Sequence, residues 1–477
     1  MTSTTDPDRR SPGGQSAVVV GGGLAGITSA LALADAGVRV TLLEGRPRLG
    51  GAAFSFRRSS PAGELTIDNG QHVYLRCCTG YGWFLDRIGA GHLAPLQDRL
   101  DVPVLDVGRS TPRLGRLRRT ALPVPLHLAA TLATYPHLSP IERAAVGRAA
   151  LALKSLDPYD PALDTLNFGD WLRRKGQSAR AIEAVWDVVA VATLNARSAQ
   201  CSLGLATMVF KTGLLTEPGH ADIGIPRVPL GELHDTRARA TLEAAGVDIE
   251  LRSRVTGLDR GPDGRWDVRV ETAPHAGTRL TADTVVLALP QQDAHALLPA
   301  GALDDPGRLL KIGTAPILNL HVIYDRPVLR RPFFVAIGSP VQWVFDRSDT
   351  SGLPAGTGQY LAVSQSAAHD DIDQPVSRLR ERYLPELARL LPAARGATVR
   401  DFFVTRERTA TFAPAPGVGR LRPPAPTNAP GLFLAGAWTA TGWPATMESA
   451  VRSGLSAAGA ALSELGRPHR SPLREAV

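Results

Sequence analysis

Cysteine, lysine and aromatic residues are scarce in this 477-residue chain, and each shortage excludes something. The three cysteines, Cys77, Cys78 and Cys201, are odd in number and lack metal-like spacing, which argues against a disulfide framework and a zinc site. We therefore predict no metal and expect reduced thiols in a cytoplasmic protein, with a redox-active Cys77–Cys78 pair as the alternative. Aromatic residues make up 5% of the chain, so its core must consist mainly of leucine, valine and alanine.

Long apolar runs are also missing. No uninterrupted apolar stretch is long enough to span a bilayer. The first sixteen residues have no apolar core and are typical of a disordered tail rather than a signal peptide. These absences favour a cytoplasmic protein, or one that lies peripherally on the inner face of the cell membrane.

The formal net charge of +8 comes almost wholly from arginine, since only four residues are lysine. No nucleic-acid-binding motif accompanies this charge, so we predict no nucleic-acid partner. An anionic membrane surface is the other natural partner of a basic protein. Segment 109–138 is a candidate membrane contact, because an apolar, proline-framed stretch follows basic residues; a solvated basic loop and a buried helix are the alternative. The basic residues are Arg109, Arg113, Arg116, Arg118 and Arg119.

The amino-terminal part of the chain has the pattern of a dinucleotide-binding unit. The strand-like run at Ala17 is followed by GGGLAG, by apolar positions at helical spacing and by the strand-like VRVTLL. Gly21, Gly23 and Gly26 form a G-x-G-x-x-G between strand and helix, which places a pyrophosphate at the helix N-terminus. Glu44, at the end of the second strand, suits the ribose hydroxyls. The pattern predicts an α/β, Rossmann-like fold.

The glycine pair Gly50-Gly51 closely follows Glu44, the acidic residue that suits the ribose hydroxyls, and this is not the usual continuation in NAD enzymes. It resembles the FAD-binding extension of the amine oxidase and phytoene desaturase superfamily, and this resemblance implies FAD as the cofactor. In that superfamily the glycine pair passes close to the pyrophosphate, and an arginine near the position of Arg46 helps to bind it. A solvated loop charge is the alternative interpretation of Arg46.

The segment Ile67-Asp68-Asn69-Gly70-Gln71-His72 resembles the acid-x-Gly pattern that reaches the isoalloxazine ring in the same superfamily. Asp68 is interpreted as an acceptor for backbone amides. His72 is the candidate catalytic proton donor, because imidazole serves as an acid or a base near neutral pH. A histidine satisfied by its own hydrogen bonds is the alternative.

The C-terminal block GLFLAGAWTATGWPATMESAVRSG resembles the last FAD-contact motif of carotene desaturases, which implies a helix that directs the amides of residues 446–448 at the flavin. Two residues depart from the pattern. Ala437 replaces an acid that usually contacts the ribityl chain, and Thr446 replaces an aromatic usual in flavin amine oxidases, which weakens an amine oxidase interpretation. The predicted cofactor-binding residues are Gly21, Gly23, Leu24, Ala25, Gly26, Glu44, Arg46, Gly50, Gly51, Ala52, Gly70, Val255, Gly436, Thr446, Met447 and Glu448.

The nucleotide-binding patterns lie at the start, in the middle and at the end of the chain, so a second domain must be inserted in pieces. We predict a discontinuous FAD-binding Rossmann-like domain of the glutathione-reductase type from residues 14–100, 220–300 and 405–477. The remaining residues, 101–219 and 301–404, are predicted to form an interleaved α+β substrate-binding domain.

Stretches along most of the chain resemble the hydroxysqualene dehydroxylase family of bacterial hopanoid biosynthesis. These stretches are DNGQH, LPVPLHLA, NFGDWL, VWDVVAVATLNA, GIPRVPLGEL and QWVFDR. The resemblance implies reduction of hydroxysqualene to squalene by reduced FAD with loss of water, and hence an apolar triterpenoid substrate. The alternatives are a carotenoid or squalene desaturase, an amine oxidase, and a flavin-loaded lipid-binding protein without turnover.

An apolar tunnel suffices to bind such a substrate. Candidate wall residues, with ordinary core positions as the alternative, are Trp186, Val188, Val189, Leu194, Met208 and Phe210. Behind His72, the further candidate proton donors are Asp68, His220 and Asp222. No second G-x-G-x-x-G follows a strand, so the electron donor is expected to be another protein or a free reductant.

Overall fold

The structure, a computed structural model, describes residues 14–108, 112–272 and 275–473. Its strands are β1 (Ser16–Val20), β2 (Arg39–Glu44), β3 (Ser55–Ser60), β4 (Gly63–Asp68), β5 (Tyr74–Leu75), β6 (Asp101–Asp106), β7 (Arg113–Arg118), β8 (Ile223–Gly224), β9 (Asp248–Leu251), β10 (Ser253–Arg260), β11 (Trp266–Thr272), β12 (His275–Ala282), β13 (Thr284–Leu287), β14 (Ala315–Tyr324), β15 (Phe333–Ile337), β16 (Trp343–Asp346), β17 (Gln359–Ser366), β18 (Val399–Thr411) and β19 (Leu432–Leu434).

The α-helices are α1 (Leu24–Asp35), α2 (Thr79–Arg87), α3 (Ala129–Thr134), α4 (Pro140–Lys154), α5 (Pro161–Asp164), α6 (Phe168–Arg174), α7 (Ala179–Ala181), α8 (Asp187–Leu194), α9 (Leu203–Phe210), α10 (Ala238–Ala244), α11 (Gln291–Leu297), α12 (Arg308–Lys311), α13 (Ser348–Ser351), α14 (Val376–Leu390) and α15 (Met447–Glu464). Three π-helical turns, Ile182–Trp186, Lys211–Leu215 and Glu232–Arg237, continue into or from α-helices.

A five-stranded parallel sheet forms the nucleotide-binding layer, in the order β19-β13-β1-β2-β9. Its strands come from the first, middle and last parts of the chain, so the predicted interleaving is present and the α/β Rossmann-like fold class is confirmed. The central strand β1 is buried on both faces, as parallel sheets covered by helices require. Ligands of such sheets bind beyond the carboxyl ends of the strands.

A seven-stranded sheet, in the order β18-β14-β17-β16-β15-β6-β7, forms the second layer. Its strands pair antiparallel except for β15 with β6. The helices α3 to α9 lie between β7 and β8 in the sequence. The domain boundary that we predict between residues 404 and 405 falls inside β18, which runs unbroken from Val399 to Thr411.

Helix α15 packs directly across α1 and thereby joins the two ends of the chain. A Cβ atom on Gly454 would lie 2.4 Å from the carbonyl oxygen of Ala25, so the two backbones touch. Ser29 Oγ donates to the carbonyl oxygen of Gly454 at 3.0 Å. This contact fixes the N-terminus of α15 relative to that of α1.

For the basic residues at the start of segment 109–138, the structure corrects the interpretation as a solvated loop. Residues Arg113–Arg118 form the edge strand β7, paired with β6 from Asp101 to Asp106. Local sequence did not indicate a strand because RLGRLR has no β-branched residue, and the pairing is set by tertiary contacts. Arg109 lies outside the described residues.

Among the described residues, no helix is long and apolar enough to cross a membrane.

Candidate functional site

The turn after β1 is built from glycines that no other residue could replace. Gly21 has a φ of +107°, and a Cβ there would lie 2.4 Å from the carbonyl oxygen of Ala288. A Cβ on Gly26 would lie 1.8 Å from the carbonyl oxygen of Gly21. The tight turn and the close packing of α1 on β1 therefore both need glycine.

The N-terminus of α1 presents free amides. Its N-cap, Gly23, has no side chain, and the amides of Leu24, Ala25 and Gly26 have no partner within the described ranges. Gly51 lies against this N-terminus, with an ideal Cβ position 2.8 Å from the Gly23 Cα. Unpartnered amides and an absence of side chains are what a pyrophosphate needs. The residues present therefore fit the FAD that the sequence predicts.

Glu44 lies beside this turn, and part of its carboxylate is used by the protein. Oε2 accepts from the amide of Gly22 at 2.7 Å, and Oε1 accepts from the amide of Arg46 at 2.7 Å. A carboxylate has about four lone-pair positions. Glu44 therefore fixes the turn and can still accept hydrogen bonds from ribose hydroxyls.

Arg48 is the arginine that contacts the glycine pair within the protein, and the role of Arg46 toward the pyrophosphate stays a prediction. Arg48 donates to the carbonyl oxygens of Leu49 at 3.1 Å and Gly51 at 3.2 Å, and its guanidinium lies 3.5 Å from the ring centroid of Phe54. Arg46 is exposed. Partial burial, reinforced by Arg46, lowers the pKa of Arg48. The sequence placed two arginines in this turn, and only tertiary packing distinguishes them.

Two further predicted cofactor residues have backbone roles in the structure. The Ala52 carbonyl oxygen accepts from Asn69 Nδ2 at 2.9 Å, which ties the glycine-pair loop to the DNGQH segment. Val255 is buried in the edge strand β10, opposite Val270 and next to a β-bulge. Its side chain is part of the core, which leaves its backbone for a cofactor contact.

The C-terminal block supplies a second helix N-terminus. Thr446 is the N-cap of α15 and accepts from the amide of Ser449 at 3.2 Å, while the amides of Met447 and Glu448 have no partner in the described part of the chain. Gly436, with a φ of +144°, holds the turn before this block, since a Cβ there would lie 2.5 Å from Trp438 Nε1.

The side chain of Glu448 is used in contacts within the protein. It is 1% exposed and accepts from the amides of Gly80 at 3.0 Å and Tyr81 at 2.7 Å, and from Arg452 Nε at 2.5 Å. It thus caps α2 and anchors α15 on it. Only the backbone amide of Glu448 remains for a cofactor.

Arg422 holds the loop between Gly436 and α15, and no local pattern in the sequence indicates this role. This arginine is 5% exposed and has no carboxylate partner among the described residues. It donates to the carbonyl oxygens of Ala437 at 3.3 Å, Trp438 at 3.2 Å and Thr439 at 3.0 Å. Burial lowers its pKa to about 10.

Asp68 and Arg347 join two motifs far apart in the sequence, DNGQH and QWVFDR. Arg347 Nη2 donates to Asp68 Oδ2 at 2.9 Å, and each side chain is 7% exposed. The other carboxylate oxygen accepts from Ser55 Oγ at 2.6 Å and from the Leu230 amide at 2.9 Å. Asp68 is therefore a structural acceptor, as expected, and a buried ion pair in addition.

His72 faces a small cavity beside this ion pair. The cavity, about 10 Å³, is lined by the polar residues Asp68, Gln71, His72 and Arg347 and by apolar side chains that include Phe345. It is about the size needed for one water molecule. Neither nitrogen of His72 has a protein partner within the described ranges, and Gln71 Nε2 is buried without one. The imidazole is half-buried, so its nitrogens are available to a bound molecule or to water.

Burial lowers the pKa of His72 from 6.5 to about 4. The imidazole is therefore neutral at pH 7. It can donate one hydrogen bond and accept another, but it does not carry a spare proton.

A buried polar network supports the backbone of Asn69 and Gly70. The carbonyl oxygen of Asn69 accepts from Asn319 Nδ2 at 2.9 Å and from Thr405 Oγ1 at 2.8 Å. His321 continues the network, with Nε2 3.0 Å from Thr405 Oγ1 and Nδ1 2.6 Å from the Tyr360 hydroxyl. Sequence reasoning missed these residues because they come from β14, β17 and β18, and no local motif links them to Gly70.

The other candidate proton donors have structural roles. Asp222 is fully buried and accepts from Arg119 Nε at 2.6 Å and Arg76 Nε at 3.1 Å. These arginines help to hold its pKa below the ordinary value although burial acts in the opposite direction. His220 contacts the Thr212 carbonyl oxygen and Glu217. Both residues are committed to local contacts.

Cys78 is also unsuited to the redox role that was left open for it. A hydrogen bond between the Cys78 thiol and Cys77 raises the pKa of Cys78 well above the ordinary value, and burial adds to the effect. A protonated thiol is a poor nucleophile.

The residues predicted to line an apolar tunnel divide into two groups. Trp186 and Phe210 belong to an aromatic core with ring centroids 5.1 Å apart, and Trp186 Nε1 donates to Gln177 Oε1 at 2.8 Å. Met208 instead packs with Cys77 and Trp443, next to the C-terminal block. Val188 and Leu194 are buried and Val189 is half-buried. Met208 is the predicted wall residue that reaches the candidate site.

The amino-acid sequence is similar to those of known flavin-dependent proteins. A family model described as flavin containing amine oxidoreductase matches residues 24–462. Hydroxysqualene dehydroxylases of Zymomonas mobilis and Rhodopseudomonas palustris are each 28% identical, over 93% and 92% of this chain and 98% and 96% of their own lengths. The zeta-carotene desaturase of Arabidopsis thaliana is 25% identical over 94% of this chain and 86% of its own.

Solved structures share the fold at lower identity. Cyclohexylamine oxidase from Brevibacterium oxydans has a TM-score of 0.67 at 17% identity, covering 95% of this chain and all of that one. An oxidoreductase from Methanosarcina mazei has a TM-score of 0.70 at 15% identity, covering 93% of this chain and 99% of that one.

Proposed function

The chain belongs to the flavin containing amine oxidoreductase family and is an FAD-dependent oxidoreductase, and we propose that it reduces hydroxysqualene to squalene with loss of the hydroxyl group as water. The observation that carries this proposal is the cavity beside Gly70, where unpartnered polar groups of Gln71 and His72 meet apolar walls. Relatives named hydroxysqualene dehydroxylase match the chain nearly end to end, which supports the same assignment.

The reaction sets three requirements for the protein. The carbon–oxygen bond of an allylic alcohol breaks, the carbon gains a hydride and the oxygen gains a proton, so that an alcohol becomes an alkene chain and water. Reduced FAD (FADH2) would supply the hydride and, as it becomes FAD, also the proton that balances the reaction. The protein must hold the hydroxyl group, keep the oxygen within reach of that proton and keep bulk water from the electron-poor carbon.

The polar residues of the cavity suit the hydroxyl group. His72 is neutral at pH 7 because burial lowers its pKa to about 4. It therefore acts as a hydrogen-bond donor to the leaving oxygen and not as a protonated imidazolium acid. Gln71 Nε2 is a second unpartnered donor. The cavity has about the size of the water that leaves.

Desaturation of a carotenoid is the second candidate, favoured by the 25% identity to a zeta-carotene desaturase. Such a substrate is a hydrocarbon and offers no oxygen to a polar cavity. Leaving Gln71 and His72 without partners in an apolar site would cost free energy in that case. Amine oxidation is disfavoured because Thr446 serves as a helix cap where amine oxidases usually carry an aromatic.

The direct test incubates the FAD-loaded protein anaerobically with a chemical reductant and hydroxysqualene in detergent, and measures squalene. Squalene should form together with oxidised flavin, one for one. Parallel aerobic incubations with phytoene and with squalene, using oxidised FAD, test the desaturases. Desaturated products there, with no squalene from the alcohol, would overturn the proposal.

The role of His72 has a matched test within the chain. His72→Ala, with FAD fully bound, should lower squalene formation at least about 10-fold, which corresponds to the loss of roughly one hydrogen bond in the transition state. His92→Ala, on the exposed surface, should change nothing. Equal turnover of the two variants would remove His72 from the reaction.

A further inference from the structure

Large exposed hydrophobic side chains concentrate on one part of the surface. Seven of the nine in the described chain lie between residues 114 and 166. The most exposed are Leu122 at 50%, Leu126 at 53%, Ile141 at 80%, Leu151 at 55% and Tyr159 at 64%. Isolated exposed hydrophobic residues are ordinary, but a concentration of them marks an interaction site.

Five of the seven lie on elements that pack together, and Tyr159 and Leu166 follow these elements in the sequence. We call β7, residues 120–128, α3 and α4 the docking face. The amide of Arg118 donates to Thr131 Oγ1 at 3.0 Å, which joins β7 to α3, and Arg143 Nη1 donates to the Ala133 carbonyl oxygen at 2.5 Å, which joins α4 to α3. Leu132 reaches within 3.6 Å of the Cβ position of Gly147. The face is therefore continuous.

Helix α4 turns an amphipathic stripe outward. Ile141, Ala144, Arg148 and Leu151 recur at intervals of three and four residues and are all exposed, whereas the opposite side of α4 is buried in the core. An exposed apolar stripe on a helix is ordinarily covered by another part of the protein or by a binding partner. No described part of the chain covers it.

The same face carries most of the net charge. Residues 113–118 and 120–154 contain six arginine or lysine side chains and one carboxylate, a formal charge of +5 in a chain whose total is +8. Arg113, Arg118 and Arg148 have no carboxylate partner within the described ranges. Arg119, by contrast, is held by buried Asp222 and does not belong to the free charge of this face.

The docking face adjoins the candidate site. Exposed Tyr159 lies 3.0 Å from the Cβ position of Gly442, in the loop that leads into α15. Helix α4 packs on α9, whose Met208 packs with Trp443 of the same loop.

We propose that the docking face binds the interface of an anionic lipid bilayer, with the leucine and isoleucine side chains in the acyl boundary and the arginines on the headgroup phosphates. Stable peripheral binding needs apolar area that becomes buried in the bilayer, together with cationic charge, and both are present on this surface. This inference depends on the surface alone and not on the proposed reaction.

The test is sedimentation of the FAD-loaded full chain with vesicles of phosphatidylcholine, alone or mixed with phosphatidylglycerol. Binding should be strong with the anionic vesicles, weak with the neutral ones, and reduced by added salt. Loss of three headgroup charges should weaken binding to anionic vesicles about 100-fold. The charge variant is Arg113→Gln, Arg118→Gln and Arg148→Gln together.

A second variant tests the contribution of the apolar side chains to vesicle binding. Replacing exposed hydrophobic residues of the face should reduce binding to both kinds of vesicle. This variant is Leu122→Ser, Leu126→Ser and Ile141→Ser together. Retained flavin absorbance shows that each variant is folded.

Matched controls use exposed residues elsewhere. The apolar control is Leu310→Ser with Val376→Ser, at 53% and 40% exposure. The charge control replaces three exposed arginines without carboxylate partners, Arg174→Gln, Arg330→Gln and Arg400→Gln. Controls that bind as poorly as the docking-face variants, or a wild-type protein that pellets equally with both vesicles, would overturn the proposal.

Discussion

Replacing Gly51 by alanine should weaken FAD binding at least about 10-fold. Gly51 has a φ of +57°, which costs alanine about 1–2 kcal/mol. The new Cβ would lie 2.8 Å from the Gly23 Cα, and reaching an ordinary contact of 3.4 Å requires the glycine-pair loop to move. A shift of this size takes the loop away from the N-terminus of α1. Loss of one charge-assisted hydrogen bond to the pyrophosphate costs about 1.5–3 kcal/mol, or about 10- to 150-fold in Kd.

The assay is titration of the apoprotein with FAD, followed by quenching of flavin fluorescence. Gly45→Ala is the matched control, because it lies in the same turn, is exposed and has no atom within 4 Å of its Cβ position. It should bind FAD like the wild-type protein. If Gly51→Ala had the same Kd as Gly45→Ala, the pyrophosphate would not lie between the glycine pair and α1, and the reasoning would be refuted.

Three other predictions concern the buried charges and the polar network. Arg347→Met should destabilise the protein by about 3–5 kcal/mol in urea unfolding, because it leaves the Asp68 carboxylate buried without its partner; adding Asp68→Asn should recover part of this loss, and additive effects of the two changes would contradict the pairing. Burial lowers the pKa of His321 to about 3. Between about pH 6.5 and pH 3, therefore, only the unfolded chain binds a proton at this residue. The contribution of His321 to the free energy of unfolding should fall by about 1.4 kcal/mol for each pH unit as the pH drops through this range. His321→Gln should flatten the pH dependence by that amount, and an unchanged slope would exclude His321 as its source. Arg422→Met should lower FAD affinity and stability together, since buried carbonyl oxygens of residues 437–439 lose their donor, whereas Arg422→Lys should keep part of both; full FAD affinity in Arg422→Met would show that this loop does not position the cofactor.

The dinucleotide-binding part of the fold could be predicted because its physical requirements are local. Gly21 is needed for the positive φ of the turn and Gly26 for its contact with the Gly21 carbonyl oxygen, and the strand, helix and strand around them follow from apolar spacing. The C-terminal helix was likewise predictable, since Thr446 is a good N-cap and Gly436 marks the turn before it.

The rest of the site could not be predicted, because it depends on pairings across the chain. Arg347 reaches Asp68 over 279 positions, and Asn319 reaches Asn69 over 250. Glu448 stands in a motif that suggests a cofactor contact, yet its carboxylate caps α2, 368 positions away. A motif marks the residue, but only the folded chain determines which atoms are left for a ligand.

The crossing of α15 over α1 has a consequence for biosynthesis. Strand β1 pairs with β13 and β13 with β19, so the parallel layer is complete only after the chain has been synthesised through β19. A nascent chain that ends before β19 therefore exposes an unfinished nucleotide cleft. Removal of α15, which packs on α1, should yield a colourless polypeptide rather than a weakened enzyme.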